Sequence, residues 1–342
     1  MGKAQEIKPK INLIHDAEIR ALKAVNNDLK DTAKYWQAQF EESEKRLDIA
    51  LALKEAASKR IPSIQAKSHS ASESTAFLCA SDWHVEEPVD PRTVNGMNEF
   101  DMAIAGKRIE AFFRNSLRLV EIQRTGTDIN TAVLWLGGDF SSSFIHEELQ
   151  EMNELSPTQT MLWLMPRIIS GIKYLQKEGG FKNIIVPCSL GNHARTTKKP
   201  RHATAYKNSY EWLMYNILSQ HFDGSNVEFR IPFGYHSLVD CYGRNIRFHH
   251  GDSIKYQGGV GGLYIPANKA IAEWNKGQPA YLDVFGHWHQ QKDGGTFISN
   301  GSLIGYNAYA VSIKASPEPP QQSFFMINAK TGKTIVAPIH LD

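Results

Sequence analysis

Between residues 75 and 287 the chain alternates short apolar segments with amphipathic ones. The short segments are TAFLCAS (75–81), TAVLWLGG (131–138), NIIVPCSLG (183–191), NIRFHHG (245–251) and YLDVFGH (281–287). Their length and apolar character predict buried strands, whereas the stretches between them have the three- and four-residue spacing of helices. Those stretches are 101–123, 158–177, 209–222 and 266–276. This alternation predicts an α/β fold with functional side chains at the carboxyl ends of its strands.

Composition places the chain among globular proteins. Its 342 residues suffice for one large domain with an appendage or for two ordinary domains, and 42% hydrophobic with 22% charged residues excludes a disordered chain. The formal net charge of +2 is too small to indicate a nucleic-acid partner by itself.

The three cysteines and the apolar runs indicate the cellular compartment in which the protein is expected. Cys79, Cys188 and Cys241 are widely spaced, which predicts buried free thiols in a reducing environment rather than disulfides. No apolar run has the length of a membrane span, and the N-terminal MGKAQEIKPK has no signal-peptide core. We therefore expect a cytoplasmic protein that does not associate with membranes.

The N-terminal region is predicted to be a separate helical segment. From about His15 to Lys59 the chain contains neither proline nor glycine. Apolar residues there form one stripe at helical spacing, at Leu22, Val25, Leu29, Ala33, Trp36, Phe40, Leu47 and Leu51. The stripe either packs on the main domain or pairs with a second copy as a coiled coil, which gives a homo-oligomer. The polar run KSHSASES indicates a linker, so we predict a helical segment over 1–60, a linker over 61–74 and the main domain over 75–342.

Each predicted strand ends in side chains that can bind a metal ion. These are Asp82 and His84 in SDWH, Asp139 in GGD, Asn192 and His193 in GNH, His249, His250 and Asp252 in HHGD, and His287 and His289 in GHWH. In extended backbone, residues i and i+2 point to the same side, so His287 and His289 are expected to aim at one region beyond their strand. One such motif also fits surface residues in a turn. Five in succession, each after a strand, favour a shared site.

The chemistry of these side chains indicates which ions they bind. Aspartate, histidine and one asparagine amide, without cysteine, suit Mn²⁺, Fe²⁺ or Zn²⁺ rather than a structural thiolate zinc. We favour Mn²⁺, with Fe²⁺ and Zn²⁺ as alternatives. The set is too large for one tetrahedral ion and fits two divalent ions that share a carboxylate. A pair of ions about 3.5–4 Å apart stabilises displacement at phosphorus and generates a hydroxide nucleophile at neutral pH.

The ordered motifs D-x-H, G-D, G-N-H, H-G and G-H-x-H resemble those of the calcineurin-like metallophosphoesterase superfamily over about residues 75–312. The resemblance implies a two-layer β sandwich flanked by helices, a four-layer α/β/β/α fold, here with a long N-terminal helix added. It also implies a dinuclear centre at one edge, in which Asp139 bridges the ions. The remaining ligands would be Asp82, His84 and His289 for the first ion and Asn192, His250 and His287 for the second.

The resemblance further implies a catalytic role for His193, which would contact the phosphate and protonate the leaving oxygen without binding metal. His250 is preferred to His249 as a ligand because adjacent strand residues face opposite ways.

Protein serine/threonine phosphatases of the superfamily carry an acidic residue after the histidine of G-N-H, and this chain has GNHART instead. Candidates to orient His193 in its place are Glu147, Glu148 and Asp252. The form GNHxR together with IHEEL resembles phage-encoded members of the group.

A basic segment, ARTTKKPRHATAYK, directly follows the third motif and supplies the candidate substrate-binding residues Arg195, Lys198, Lys199 and Arg201. Beside a metal centre it would attract a polyanion, although a solvated surface loop can have the same composition. It favours a phosphodiesterase or nuclease that acts on DNA by attack of a metal-bridging hydroxide, resembling the catalytic subunits of double-strand-break repair nucleases. The alternative is a phosphomonoesterase acting on a nucleotide or phosphoprotein. A non-catalytic assembly protein is disfavoured, because clustered carboxylate and imidazole groups without metal are costly.

Overall fold

The computed structural model of the chain describes residues 63–65, 73–255 and 262–342, together with five helical residues between 23 and 34. The predicted helix over 1–60 otherwise lies outside the described residues, as does most of the predicted linker. The chain divides into the units Met1–Arg60 and Ile61–Asp342, and the fold described here is that of the second unit. Within the predicted linker, Ser63–Ile64 forms a short strand, and the next strand begins at Glu73.

The strands form two six-stranded mixed sheets. In spatial order, the first sheet contains β12 (Gly332–His340), β11 (Gln321–Asn328), β2 (Glu73–Ala80), β3 (Asp128–Leu136), β4 (Asn183–Pro187) and β5 (Val227–Arg230). The second contains β1 (Ser63–Ile64), β6 (Ser237–Cys241), β7 (Arg244–Phe248), β8 (Leu282–Phe285), β10 (Phe297–Ser299) and β9 (Lys292–Asp293). Strands β2 to β5 run parallel to one another, and so do β7, β8 and β10. The predicted α/β class is confirmed.

Six α-helices lie in the described residues of this unit: α1 (Met102–Arg124), α2 (Glu147–Met152), α3 (Pro157–Gly179), α4 (Tyr210–His221), α5 (Tyr264–Gly277) and α6 (Ala308–Ser312). Capping explains where the long ones begin. The Asp101 carboxylate accepts the Ile104 N–H ahead of α1, and Ser156 and Gln159 form a capping box on α3. Among the described helices, none combines the length and apolarity needed to cross a membrane.

The two sheets pack face to face through aromatic and aliphatic side chains. The ring of Phe248 in β7 lies 6.4 Å from Phe77 and 6.0 Å from Trp135, which belong to the first sheet. Helices α1, α3 and α4 cover the other face of the first sheet, and α5 packs on Phe285 and Phe297 of the second. The order of layers is therefore helix, sheet, sheet, helix.

This arrangement brings the motif-bearing loops to one edge of the molecule. Parallel strands β2, β3 and β4 end side by side, and β7 and β8 do the same in the second sheet. The loops that follow these five strands carry all of the candidate metal ligands. The three cysteines are free and buried, as predicted.

Candidate metal centre

Two groups of aspartate and histidine side chains, buried except for the partly buried His287 and His289, lie in the loops at this edge. The Asp82 group consists of Asp82, His84 and His289, and the Asp139 group consists of Asp139, His250 and His287. Within each group the candidate ligand atoms all lie within 4.8 Å of one another. Carboxylate and imidazole ligands in this number can hold a divalent cation such as Zn²⁺, Mn²⁺ or Fe²⁺.

The backbone at five of these six residues is in the left-handed region. The φ angles are 57° at Asp82, 47° at His84, 52° at Asp139, 69° at His287 and 51° at His289. Residues with a Cβ seldom adopt this conformation, and it concentrates at functional sites. The prediction that His287 and His289 lie in extended backbone is therefore wrong, although both do lie at the same edge of the molecule. Left-handed turns after β8 place one in each group.

The tautomer of His84 is fixed by Ser142. The Ser142 hydroxyl donates its only proton to the Glu87 carboxylate, so its oxygen must accept the Nδ1–H of His84, at 2.8 Å. This leaves the Nε2 lone pair of His84 buried and without a hydrogen-bond partner among the described residues. Burial, together with His193 and His289, lowers the pKa of His84 well below its usual value, which favours the neutral, metal-binding form.

His250 is oriented by a backbone carbonyl rather than by a serine. Its Nδ1–H donates to the carbonyl of Gly137 at 2.9 Å, and its Nε2 lies 2.9 Å from Asp139 Oδ2 and 3.1 Å from Asn192 Oδ1. Asn192 therefore joins the Asp139 group. Burial alone would lower the pKa of His250, but the carboxylates of Asp139 and Asp82 outweigh it and hold the pKa well above its usual range. The contact thus stabilises positive charge at this point.

Backbone hydrogen bonds make the two groups neighbours. The N–H of His287, from the Asp139 group, donates to both oxygens of Asp82 at 2.9 and 3.0 Å. The carbonyl oxygen of Asp139 accepts the N–H of Trp83 at 2.8 Å and that of His84 at 3.1 Å. The two carboxylates are therefore fixed relative to each other by the loops that carry them.

His193 lies between the groups with one ring nitrogen available. Its ring meets that of His84 edge to face at 4.9 Å, and its Nδ1–H donates to the carbonyl of Ser142 at 3.0 Å. Its backbone N–H donates to Asp139 Oδ1 at 2.8 Å. Because Nδ1 is engaged, Nε2 is the atom that can exchange a proton with a bound molecule.

The expectation that Glu147, Glu148 or Asp252 orients His193 is wrong. Glu147 and Glu148 are exposed at the start of α2, and Asp252 accepts the Tyr235 hydroxyl at 2.9 Å. The Ser142 carbonyl takes the orienting role instead. A backbone group has no sequence signature, so residue types alone could not have identified it.

Glu211 is a supporting residue that sequence reasoning missed. It is fully buried, and its carboxylate accepts the N–H of Phe140 at 2.9 Å and that of Gly191 at 2.8 Å. These residues adjoin Asp139 and Asn192, so one side chain joins the loops after β3 and β4. Burial and the charge of Asp139 raise the pKa of Glu211 to about 8. No motif points to it, because it stands in the first turn of α4.

Two further buried carboxylates support the serine loop after β3. Glu86 accepts the Ser141 hydroxyl and the Ser143 N–H, and Glu87 accepts the Ser142 hydroxyl. Burial raises the pKa of Glu86 to about 7, against the opposing effect of these hydrogen bonds. A signal for both was present, because the two acids follow SDWH with only Val85 between, and the serines follow GGD with only Phe140 between.

The basic residues and His249 belong to neither group. Arg195 is half-buried and donates to the carbonyls of Asn192, Thr197 and Lys198, so it braces its own loop. Side chains Lys198, Lys199 and Arg201 are exposed. His249 faces away from the centre, with its Nε2 3.4 Å from Asp283.

No protein-family model and no curated protein matches this sequence. Among solved structures, the chain is similar to a single mutant of Vps29 from Entamoeba histolytica, with 12% identity and a TM-score of 0.30 over 77% of this chain and 97% of that one. It is also similar to a double mutant of the same protein, with 11% identity and a TM-score of 0.29 over 78% of this chain and 98% of that one. Likeness at this distance carries no information about activity.

Proposed function

We propose that this protein is a phosphoester hydrolase of the calcineurin-like metallophosphoesterase type that works with two divalent metal ions. The observation that carries the proposal is the pair of adjoining Asp82 and Asp139 groups, each with an aspartate and two histidines, at the carboxyl ends of neighbouring strands. The coarser property, two buried groups that can hold metal ions, follows from their geometry. The reaction is our inference from their chemistry.

The residues present fit a pair of ions. The buried Nε2 of His84 has no partner among the described residues, and its tautomer leaves the lone pair free. Asp82, His84 and His289 would hold one ion, and Asn192, His250 and His287 the other, with Asp139 between them. When bound, a pair of divalent ions polarises the phosphoryl group and lowers the pKa of an attacking water.

The other residues of the centre have roles that follow from their contacts. His193 presents Nε2, since its Nδ1–H is held by Ser142, and this nitrogen would deliver a proton to the leaving oxygen. Glu211, Glu86 and Glu87 hold the loops in place and prevent rearrangement of the ligands. Support of this kind raises metal affinity by orienting the ligands.

We also propose that the substrate is a phosphodiester in nucleic acid, with DNA as the first candidate and Mn²⁺ as the favoured ion. The support is the basic loop: Lys198, Lys199 and Arg201 are exposed on the segment that begins at Asn192 and His193. Arg195 ties the start of this segment to the Asn192 carbonyl, which would keep the positive charges near the centre. Exposed lysine and arginine side chains bind phosphates on either side of a scissile one.

One set of assays tests both the phosphoesterase proposal and the nuclease proposal. Purified protein with Mn²⁺ is offered p-nitrophenyl phosphate, its bis-ester, and single- and double-stranded DNA, with the Asp139→Asn variant as the inactive reference. We expect hydrolysis of the bis-ester and of DNA, and loss of both activity and bound metal in the variant. Hydrolysis of the monoester alone would replace the nuclease proposal with a phosphomonoesterase. Two tightly bound ions in an active Asp139→Asn protein would remove the metal assignment itself.

A further inference from the structure

A cavity of about 280 Å³ opens beside the Asp139 group. One wall is the loop after β4, which includes Asn192, Arg195 and Arg201. The opposite wall comes from residues next to the second sheet and from α5, and includes Tyr235, His236 and Trp274. The cavity therefore shares Asn192 with the candidate metal centre.

Hydrogen bonds hold both walls in place. Thr196 N–H donates to the Asn208 carbonyl at 2.9 Å, which ties the basic loop to the start of α4. On the other side, the Tyr235 hydroxyl donates to Asp252 and accepts the N–H groups of Gly251 and Ser253, each at 3.1 Å. A cavity with fixed walls retains its shape before a ligand arrives, as small-molecule sites usually do.

The chemistry of the two walls differs. Towards the centre the wall is cationic, with Arg195 and Arg201. The far wall is aromatic: the rings of His236 and Trp274 lie 4.7 Å apart, with Tyr235 6.1 Å from Trp274. The Nε2 of His236 is buried and has no hydrogen-bond partner among the described residues. A ligand that suits both walls carries negative charge at one end and a flat ring with polar edges at the other.

We propose that this cavity binds the nucleoside part of a phosphoester whose phosphate lies at the two aspartate–histidine groups. The base contacts the aromatic wall, with its polar edge within reach of His236 or Asp252, and the phosphate faces the arginines. At about 280 Å³ the cavity lies just below the roughly 300 Å³ at which sites for drug-sized ligands begin, a size that suits a single nucleoside. The proposal rests on the proposed phosphoesterase function, but its binding step can be measured without turnover.

The test uses Gly234, which lines the cavity and where an added Cβ meets nothing within 4 Å. Gly234→Leu adds bulk at the wall from a Cβ that has open space around it. Gly277→Leu is the matched control, since Gly277 at the end of α5 is equally open and does not line the cavity. Calorimetry with Mn²⁺ present measures binding of adenosine 5′-monophosphate and of ribose 5-phosphate, which lacks a base.

We expect wild type and Gly277→Leu to bind the adenosine monophosphate about 10-fold more tightly than ribose 5-phosphate, and Gly234→Leu to lose most of that difference. His236→Phe, a second variant that removes the unpartnered nitrogen, should also weaken nucleotide binding. Equal affinity for the two ligands in wild type, or unchanged nucleotide affinity in both variants, overturns the proposal. Nucleotide binding that depends on the cavity, without hydrolysis of any chromogenic ester, would leave this site standing and remove the phosphoesterase function instead.

Discussion

The carboxylate of Glu211 accepts the backbone N–H of Gly191 at 2.8 Å, and its other oxygen accepts the N–H of Phe140 at 2.9 Å. This one side chain from α4 thus fixes the distance between the loops that carry Asp139 and Asn192. The Phe140 N–H is buried and the Gly191 N–H is partly buried, and both depend on this carboxylate for a partner.

Glu211→Gln is expected to weaken metal binding about 10- to 100-fold, the usual effect of losing a group that orients ligands. An amide offers one acceptor oxygen, so one of the two N–H groups would face an NH₂ group. Metal titration measures the change, with Glu148→Gln, on the exposed first turn of α2, as the control. Wild-type affinity in Glu211→Gln would show that the two loops do not need this bridge.

Ser142→Ala should also reduce metal affinity, by about 10-fold or more, because His84 would lose the acceptor that fixes its tautomer. The matched control is Ser116→Ala, since the Ser116 hydroxyl is buried and has no hydrogen-bond partner among the described residues. Titration with Mn²⁺ distinguishes the two variants. If Ser142→Ala and Ser116→Ala lose metal affinity equally, the loss comes from removing a buried hydroxyl in general and not from the contact with His84.

His193→Ala is expected to retain both metal ions and to lower turnover of a chromogenic ester about 10²- to 10⁴-fold, the range for removing a general acid. The variant keeps the contact with Asp139, because the backbone N–H makes it and not the ring. Parallel measurement of metal content and of the kcat provides the check. A fall in metal content in step with activity would make His193 a ligand.

The paired substitution Lys198→Ala and Lys199→Ala tests the nuclease proposal apart from the cavity, which neither residue lines. If both side chains contact phosphates, DNA binding weakens and the slope of log affinity against log salt falls by about 1.4–1.8, or roughly 0.7–0.9 per contact. Hydrolysis of a small ester should stay within a few fold. An unchanged slope would make this loop an ordinary solvated surface.

His236 gives a prediction for pH. Burial, with His249 and Arg247 nearby, lowers the pKa of His236 from 6.5 to about 4. Between these values the unfolded chain binds more protons than the folded one, so this group's contribution is complete above pH 6.5 and falls as the pH drops towards 4. His236→Gln should therefore lose less stability than wild type between about pH 7 and pH 5, as measured by urea unfolding. An identical loss of unfolding free energy in wild type and His236→Gln would contradict the lowered pKa of His236.

The parts of the fold that the sequence predicts are those with a strong local signal. Strands β2, β3, β4, β7 and β8 are short apolar runs, each followed by a motif, and all five are present within a few residues of the predicted bounds. Strand β12 was not predicted. It contains Pro338, which argues against a central strand but is tolerated here because β12 forms an edge of its sheet. This segment is a strand because it pairs with β11, and a local sequence pattern does not reveal such a tertiary contact.

For the candidate site, too, the sequence predicts the residues that have a local signal and misses those that depend on tertiary contacts. Six of the histidines and aspartates that the motifs indicate do meet in the two groups, because parallel strands end at one edge, whereas His249 and Asp252 belong to neither group. The groups that orient them, the Ser142 carbonyl and the Glu211 carboxylate, act on residues 51 and 20 positions away in the chain. No spacing rule connects such pairs, so only the folded structure identifies them.

The left-handed backbone at Asp82, His84, Asp139, His287 and His289 bears on how long the protein survives in a cell. Each such residue costs roughly 1 kcal/mol of folding free energy, and a cation that binds only the folded chain returns free energy in proportion to the logarithm of its concentration. Cellular proteases remove chains in proportion to the fraction unfolded. If the proposed centre binds its ions, the abundance of this protein would follow their supply, so that starvation for the ion would deplete the chain as well as the proposed activity.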